Sequence, residues 1–155
     1  MARRRVTSAQ PERLTLAVFS DDRTLRAEVH LALGDLLASD LPPVRVVEFA
    51  TAPVLVDALD AGGIDCAILD AEAKPLGGMG LCHQVRDEVR QPPPIVLLVA
   101  RPVDAWLATW ALADAVAPLP VDPLTLPEIV AGVIRAARAG TLADLRLVPG
   151  AASRH

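Results

Sequence analysis

Two sets of carboxylates, far apart in the chain, each close an apolar run. Asp21 and Asp22 follow Leu14-Thr15-Leu16-Ala17-Val18-Phe19-Ser20, and Asp70 ends Cys66-Ala67-Ile68-Leu69-Asp70. If both runs are strands of one parallel sheet they end at the same edge, and the acids meet there in one pocket. Hard oxygen ligands of this kind suit a divalent cation such as Mg2+, and a carboxylate beside that ion can accept a phosphoryl group. The same acids can instead cap the helices that follow the strands, so a structural role stays open for Asp21, Asp22 and Asp70.

Other residues that could carry chemistry offer less. His30 and His83 fall on separate predicted helices without a metal-ligand partner at i+4, which points to surface or core packing, and His155 belongs to a tail. Gly77-Gly78-Met79-Gly80 lacks the lysine of a phosphate loop and follows the third strand, so it reads as a turn into a helix. A dinucleotide-binding enzyme would place glycines just after the first strand, where Ser20-Asp21-Asp22 would repel a pyrophosphate. Cys66 and Cys82 lack CxxC spacing and read as two buried thiols in a reducing cytoplasm, with no disulfide or zinc site.

Short apolar runs alternate with longer amphipathic ones, the pattern of repeated βαβ units. Strands are expected over Leu14–Ser20, Val44–Phe49, Cys66–Asp70 and Ile95–Val99, with a weak fifth at Ala115–Ala117. A first helix carries Leu25, Val29, Leu33, Leu36 and Leu37 at helical spacing and stops before Leu41-Pro42-Pro43. Further helices are expected over Ala52–Ala61, from Leu81 to about Arg90, and over Val103–Leu112. A last one, carrying Ile129, Val130, Val133 and Ile134, ends near Gly140. Five strands and five helices fill residues 14–139, with tails at 1–13 and 140–155.

The 155 residues support one domain, since domains most often run about 100 to 150 residues. The chain is 52% hydrophobic but only 3% aromatic, so its core must be built from Ala, Val, Leu and Ile, as in a buried parallel sheet covered by helices. A net charge of −4 provides no basic field for nucleic acid, and Arg3, Arg4 and Arg5 sit in a short tail. The polar stretch Thr7–Arg13 stands where a signal peptide needs apolar residues, and charges and prolines interrupt every apolar run before it reaches bilayer length. The expectation is a soluble cytoplasmic protein without direct membrane insertion, brought to the inner face of the cell membrane only through a partner.

The acidic end of the first strand, Asp70 ending the third, Gly78 and Leu81 beyond it, and Pro120 after the fifth strand together resemble the receiver domain of two-component response regulators. The resemblance implies an α/β, flavodoxin-like (βα)5 fold, with a five-stranded parallel sheet of order 2-1-3-4-5 and helices on both faces. It implies that Asp70 is the position that receives a phosphoryl group from a histidine kinase. It also matches Asp21 to the direct Mg2+ ligand, lets Asp22 partly compensate for Ser20 where another acid is usual, and matches the backbone carbonyl of Glu72 to the main-chain ligand. The metal would offset charge between nucleophile and phosphoryl oxygens.

Two departures stand against a working switch. Receivers carry Ser or Thr after the fourth strand to bond a phosphoryl oxygen, and Val99 stands there; they carry Lys before the proline after the fifth strand, and Leu119 stands there. An alkyl group supplies neither a donor nor a cation. The expectation is an atypical pseudo-receiver, not an enzyme, without an output domain, that works as a protein-interaction module. Gly62-Gly63-Ile64-Asp65, Gly77-Gly78-Met79-Gly80 and Pro102-Val103-Asp104-Ala105-Trp106-Leu107 resemble orphan actinobacterial receivers associated with the proton-pumping NADH:quinone oxidoreductase, respiratory complex I. This implies an accessory subunit on its cytoplasmic arm. Trp106 and Trp110, four apart on the expected fourth helix, share one face and are read either as an interface anchor or as cover for the sheet. The alternative function is a phosphorelay receiver phosphorylated on Asp70 by a histidine kinase.

Overall fold

The computed structural model describes residues 12–73, 78–101 and 113–146. Five strands, β1 (Leu14–Phe19), β2 (Val44–Phe49), β3 (Cys66–Asp70), β4 (Ile95–Val99) and β5 (Ala115–Pro118), form one parallel sheet in the order β2-β1-β3-β4-β5. This is the flavodoxin-like order expected from the sequence. Every residue of β3 and β4 is buried, as the uninterrupted runs CAILD and IVLLV require of central strands covered on both faces. The edge strand β2 instead turns Arg45 and Glu48 outward, which discourages pairing with another chain.

The helices are α1 (Arg23–Leu33), α2 (Ala52–Ala61), α3 (Gly78–Glu88), α4 (Thr125–Ala139) and a short α5 (Leu142–Arg146). On one face, Phe19, Leu69, Leu97 and Val99 pack with Leu55 and Leu59 of α2 and Leu81, Cys82 and Val85 of α3. On the other, Leu16, Val18, Ile68 and Leu98 pack with Val29 and Leu33 of α1 and Val130, Val133 and Ile134 of α4. No helix among the described residues is long and apolar enough to cross a membrane.

Three expected boundaries move. The first helix does not run through Leu36 and Leu37: it ends at Leu33 because Gly34 takes φ +61°, a conformation open to glycine. Leu37 still packs on the core from the loop, whereas Leu36 is exposed, so apolar spacing outlasted the helix. The third helix starts at Gly78 rather than Leu81, which makes Gly78, Met79 and Gly80 its first turn instead of a loop. Helix α4 ends as expected, with Gly140 at φ +78° and the Thr141 amide donating to the Ala136 carbonyl at 2.8 Å, but α5 then occupies part of the stretch read as a tail. The expected fourth helix, with Trp106 and Trp110, lies outside the described residues, as do residues 1–11, 74–77 and 147–155.

At the amino edge of the sheet, the buried carboxylate of Asp114 fixes the start of β5. Its Oδ2 accepts from Arg86 Nη2 of α3 at 2.7 Å and from the Ile95 amide of β4 at 2.8 Å. Nearby, Cys66 and Cys82 are both buried. Burial pushes the Cys66 thiol well above its ordinary range, with Asp114 and Asp65 adding to the effect, so the thiolate required for reactivity is suppressed. Removing the buried carboxylate breaks its bonds to Arg86 and to the β4 backbone, so Asp114→Ala is expected to destabilise the fold by roughly 3–5 kcal/mol, measured as a lowered urea midpoint.

Candidate functional site

The parallel pairing of β1 with β3 sets Phe19 beside Leu69, so the next residues, Ser20 and Asp70, are neighbours at the carboxyl edge. Both are buried, at 1% and 3% exposure, and a carboxylate at that depth has to find donors. Asp70 Oδ2 accepts the Ser20 hydroxyl at 2.8 Å, and Oδ1 accepts the Glu72 amide at 2.9 Å, a tight turn in which the side chain bonds its own backbone two residues on. The Ser20 oxygen in turn accepts the Asp22 amide at 3.0 Å. A chain of donors therefore runs from the loop after β1 into the aspartate.

Of the expected metal set, the side chains of Asp21, Asp22 and Asp70 do not come together as one group, and Glu72, expected through its backbone carbonyl, lies in the turn after β3. Asp22 is the N-cap of α1: its Oδ1 accepts from the Thr24 amide at 2.9 Å and the Leu25 amide at 3.4 Å, which satisfies donors that a helix start leaves open. The capping alternative thus holds for Asp22. Asp21 is exposed at the edge, and Glu72 is exposed with its amide given to Asp70. Among the described residues, no three His, Cys, Asp or Glu side chains form a group able to hold a metal ion. Mg2+ is usually held through one or two carboxylates with waters completing its octahedron, and here the one buried carboxylate is turned to a donor on each oxygen while the residue beside it is a serine. The residues present do not fit a resident Mg2+ ion.

Val99 and Leu119 sit at this same edge, joined by the Leu119 amide donating to the Val99 carbonyl at 2.8 Å. The Val99 side chain is buried in the core under α2 and α3, whereas Leu119 packs against the core under α1 and α4. Each alkyl group thus belongs to a packed layer, and neither offers a donor to Asp70.

Arg26 and Ser20 are the residues whose part the sequence concealed. Ser20 read as a missing acid, but its hydroxyl is the donor that holds Asp70. Arg26 Nη1 donates to the Ser20 carbonyl at 2.7 Å while its Nε reaches Glu48 Oε1 at 3.3 Å, and His30 Nδ1 lies 2.9 Å from Glu48 Oε2. The pattern Arg26-x-x-x-His30 was the available signal, because residues four apart share a helix face that can meet an acid on the neighbouring strand. His30 is therefore a surface residue hydrogen-bonded to Glu48, and His83 is exposed on α3.

No family profile matches the chain. An uncharacterized response regulatory protein of Mycobacterium tuberculosis, from strain CDC 1551 / Oshkosh and from strain ATCC 25618 / H37Rv, is 48% identical over 123 residues, covering 79% of this chain and 92% of the relative. Among solved structures, a CheY-like response regulator receiver domain protein from Methanospirillum hungatei JF-1 superposes with a TM-score of 0.68 at 17% identity, covering 83% of this chain and 99% of its own. The Vibrio cholerae chemotaxis protein CheY4 does so with a TM-score of 0.65 at 19% identity, covering 79% and 99%.

The bonds to Glu48 make stability depend on pH. Hydrogen bonding from His30, then from Arg26, holds the Glu48 carboxyl below its ordinary value of 4.5. A carboxylate with a lowered folded-state pKa contributes fully above its unfolded value and loses that contribution as pH falls through the folded one. The melting-temperature gap between the wild-type chain and Glu48→Gln is therefore expected to be full well above pH 4.5 and to close below it. For a pair this exposed the full gap corresponds to about 0.2–1 kcal/mol, measured by thermal melts across pH.

Proposed function

Because the chain belongs to the response-regulator receiver family, we propose that it has kept the family's scaffold as a protein-interaction module and has given up the phosphorylation switch. The observation that carries this reading is the packing of Val99 and Leu119 into the two cores, at the positions where the resemblance calls for a hydroxyl and an ammonium group. Family members generally hold Mg2+ at the aspartate, and stabilise the phosphoryl group with those two side chains. Here a phosphoryl group on Asp70 would displace the donor on the oxygen it bonds and would meet alkyl groups at the two switch positions. Binding rather than turnover is then the chain's activity, and the surface is where it acts.

The partner we propose is the cytoplasmic arm of NADH:quinone oxidoreductase, which would hold the chain at the inner face of the membrane as an accessory subunit. Its support is the resemblance of the segments 62–65, 77–80 and 102–107 to receivers associated with that complex. The phosphorelay reading, in which a histidine kinase phosphorylates Asp70, is favoured by the retention of that aspartate at the end of β3.

Two experiments separate these readings. With a small phosphodonor and Mg2+, intact-mass spectrometry is expected to show little stable adduct; a stoichiometric, long-lived one that disappears in Asp70→Asn would restore the phosphorelay. Purification of the oxidoreductase from detergent-solubilised membranes is expected to bring the chain with it, and Trp106→Ala with Trp110→Ala is expected to cut recovery about tenfold or more, the scale of losing one aromatic anchor, without lowering the melting temperature. Undiminished recovery of the double variant would remove the tryptophan surface, and absence of the wild-type chain would remove the partner.

A further inference from the structure

We infer that the aspartate edge of this chain works without a divalent cation, because the Ser20 hydroxyl and not a metal ion holds the Asp70 carboxylate. Six hydrogen bonds carry this. The Asp22 amide occupies the acceptor side of the Ser20 oxygen at 3.0 Å, which leaves the single hydroxyl hydrogen to point at Asp70 Oδ2, 2.8 Å away. The other oxygen of Asp70 is bound by the Glu72 amide at 2.9 Å. The Asp22 carboxylate, the nearest substitute for an acid at position 20, is committed to the first turn of α1. The Ser20 carbonyl accepts from the Arg26 guanidinium at 2.7 Å, a charge itself paired with Glu48, so this carbonyl already has its donor.

A metal ion entering here would compete with the serine bond at Oδ2 and would find Asp21 beside a serine in place of a second buried acid. Ser20 is in this sense a positioning residue: it fixes the orientation of Asp70 from the neighbouring strand, the task that a shared cation performs when two acids face each other. Replacing the hydroxyl by a carboxylate at this one position turns a donor into an acceptor and sets two acids side by side, an arrangement that repels itself unless a cation intervenes.

The inference rests on the reading of Asp70 as held rather than switched, and its test uses neither phosphodonor nor partner, so its failure is distinct from failure of that reading. The full chain is titrated with Mn2+, free ion being followed by its electron paramagnetic resonance signal, and melted with and without Mg2+. The wild type is expected to take up no more Mn2+ than Asp70→Asn and to melt at an unchanged temperature. Ser20→Asp is expected to gain one saturable Mn2+ site and to melt roughly 3 °C higher once Mg2+ is about ten times its dissociation constant. Saturable uptake by the wild type that Asp70→Asn or Asp21→Asn abolishes overturns the inference. A folded Ser20→Asp chain that binds no Mn2+ removes Ser20 as the cause. If Ser20→Asp does not fold, the wild-type titration against Asp70→Asn decides alone.

Discussion

A carboxylate at the end of a strand buried on both faces must be met by donors, and much of the site's geometry follows from that requirement at Asp70. Leaving a buried acceptor unpaired costs about 1–3 kcal/mol, and more when it is charged, which is a large share of the margin of a domain this size. Two devices meet the cost. The chain turns immediately after β3 so that the Glu72 amide reaches back, and the parallel register brings Ser20 alongside from β1. The serine must then be oriented itself, which the Asp22 amide does, and Asp22 must stay in place, which its capping of α1 secures. The functional edge and the start of the first helix are one hydrogen-bonded unit.

The opposite edge answers the same problem with a different residue set. Asp114 is buried just before β5, and it binds the β4 backbone and the α3 guanidinium of Arg86. Since β5 is a short edge strand, this ion pair supplies attachment that four residues of ladder would not. Further out, Arg135 of α4 bonds Asp40 through two nitrogens at 2.8 and 2.7 Å, and so ties the loop after α1 to the last long helix. The Arg135 guanidinium holds the Asp40 carboxyl below its usual range. The sheet is thus anchored by polar contacts at its ends and by aliphatic packing between them.

The central strands were legible because a parallel strand buried on both faces has to be a nearly unbroken apolar run, and β3 and β4 have the bounds their runs predict; β2, broken by Arg45 and Glu48, also has its expected bounds. The fold class was legible because the runs alternate with helical spacing. What failed did so where periodicity and backbone geometry part: Leu36 and Leu37 continue the helical pattern past Gly34, and Gly78 and Gly80 are helical despite their low propensity. The acids of the site could be read, but not their partners. Whether Ser20 is a gap in a metal cluster or a donor in its own right depends on which β3 residue lies beside it, and only register fixes that. Arg86 and Asp114, 28 residues apart, carry no sequence signal of pairing at all.

These contacts bear on what kind of control such a site can exert. A ligand or modification shifts a protein between states only by the difference in its interactions with each. In a receiver that difference comes from groups that move to a phosphoryl oxygen. Val99 and Leu119 gain nothing by moving: leaving the cores would expose apolar surface at roughly 25 cal/mol per Å2 and make no polar contact in return. Ser20 has one hydrogen to give, and Asp70 already holds it. On the proposed reading the edge has one preferred arrangement, and the fold behind it serves as a platform. If the chain acts by binding, as proposed, specificity would come from the side chains on its outer helices, and selection would act on the surface more than on the aspartate.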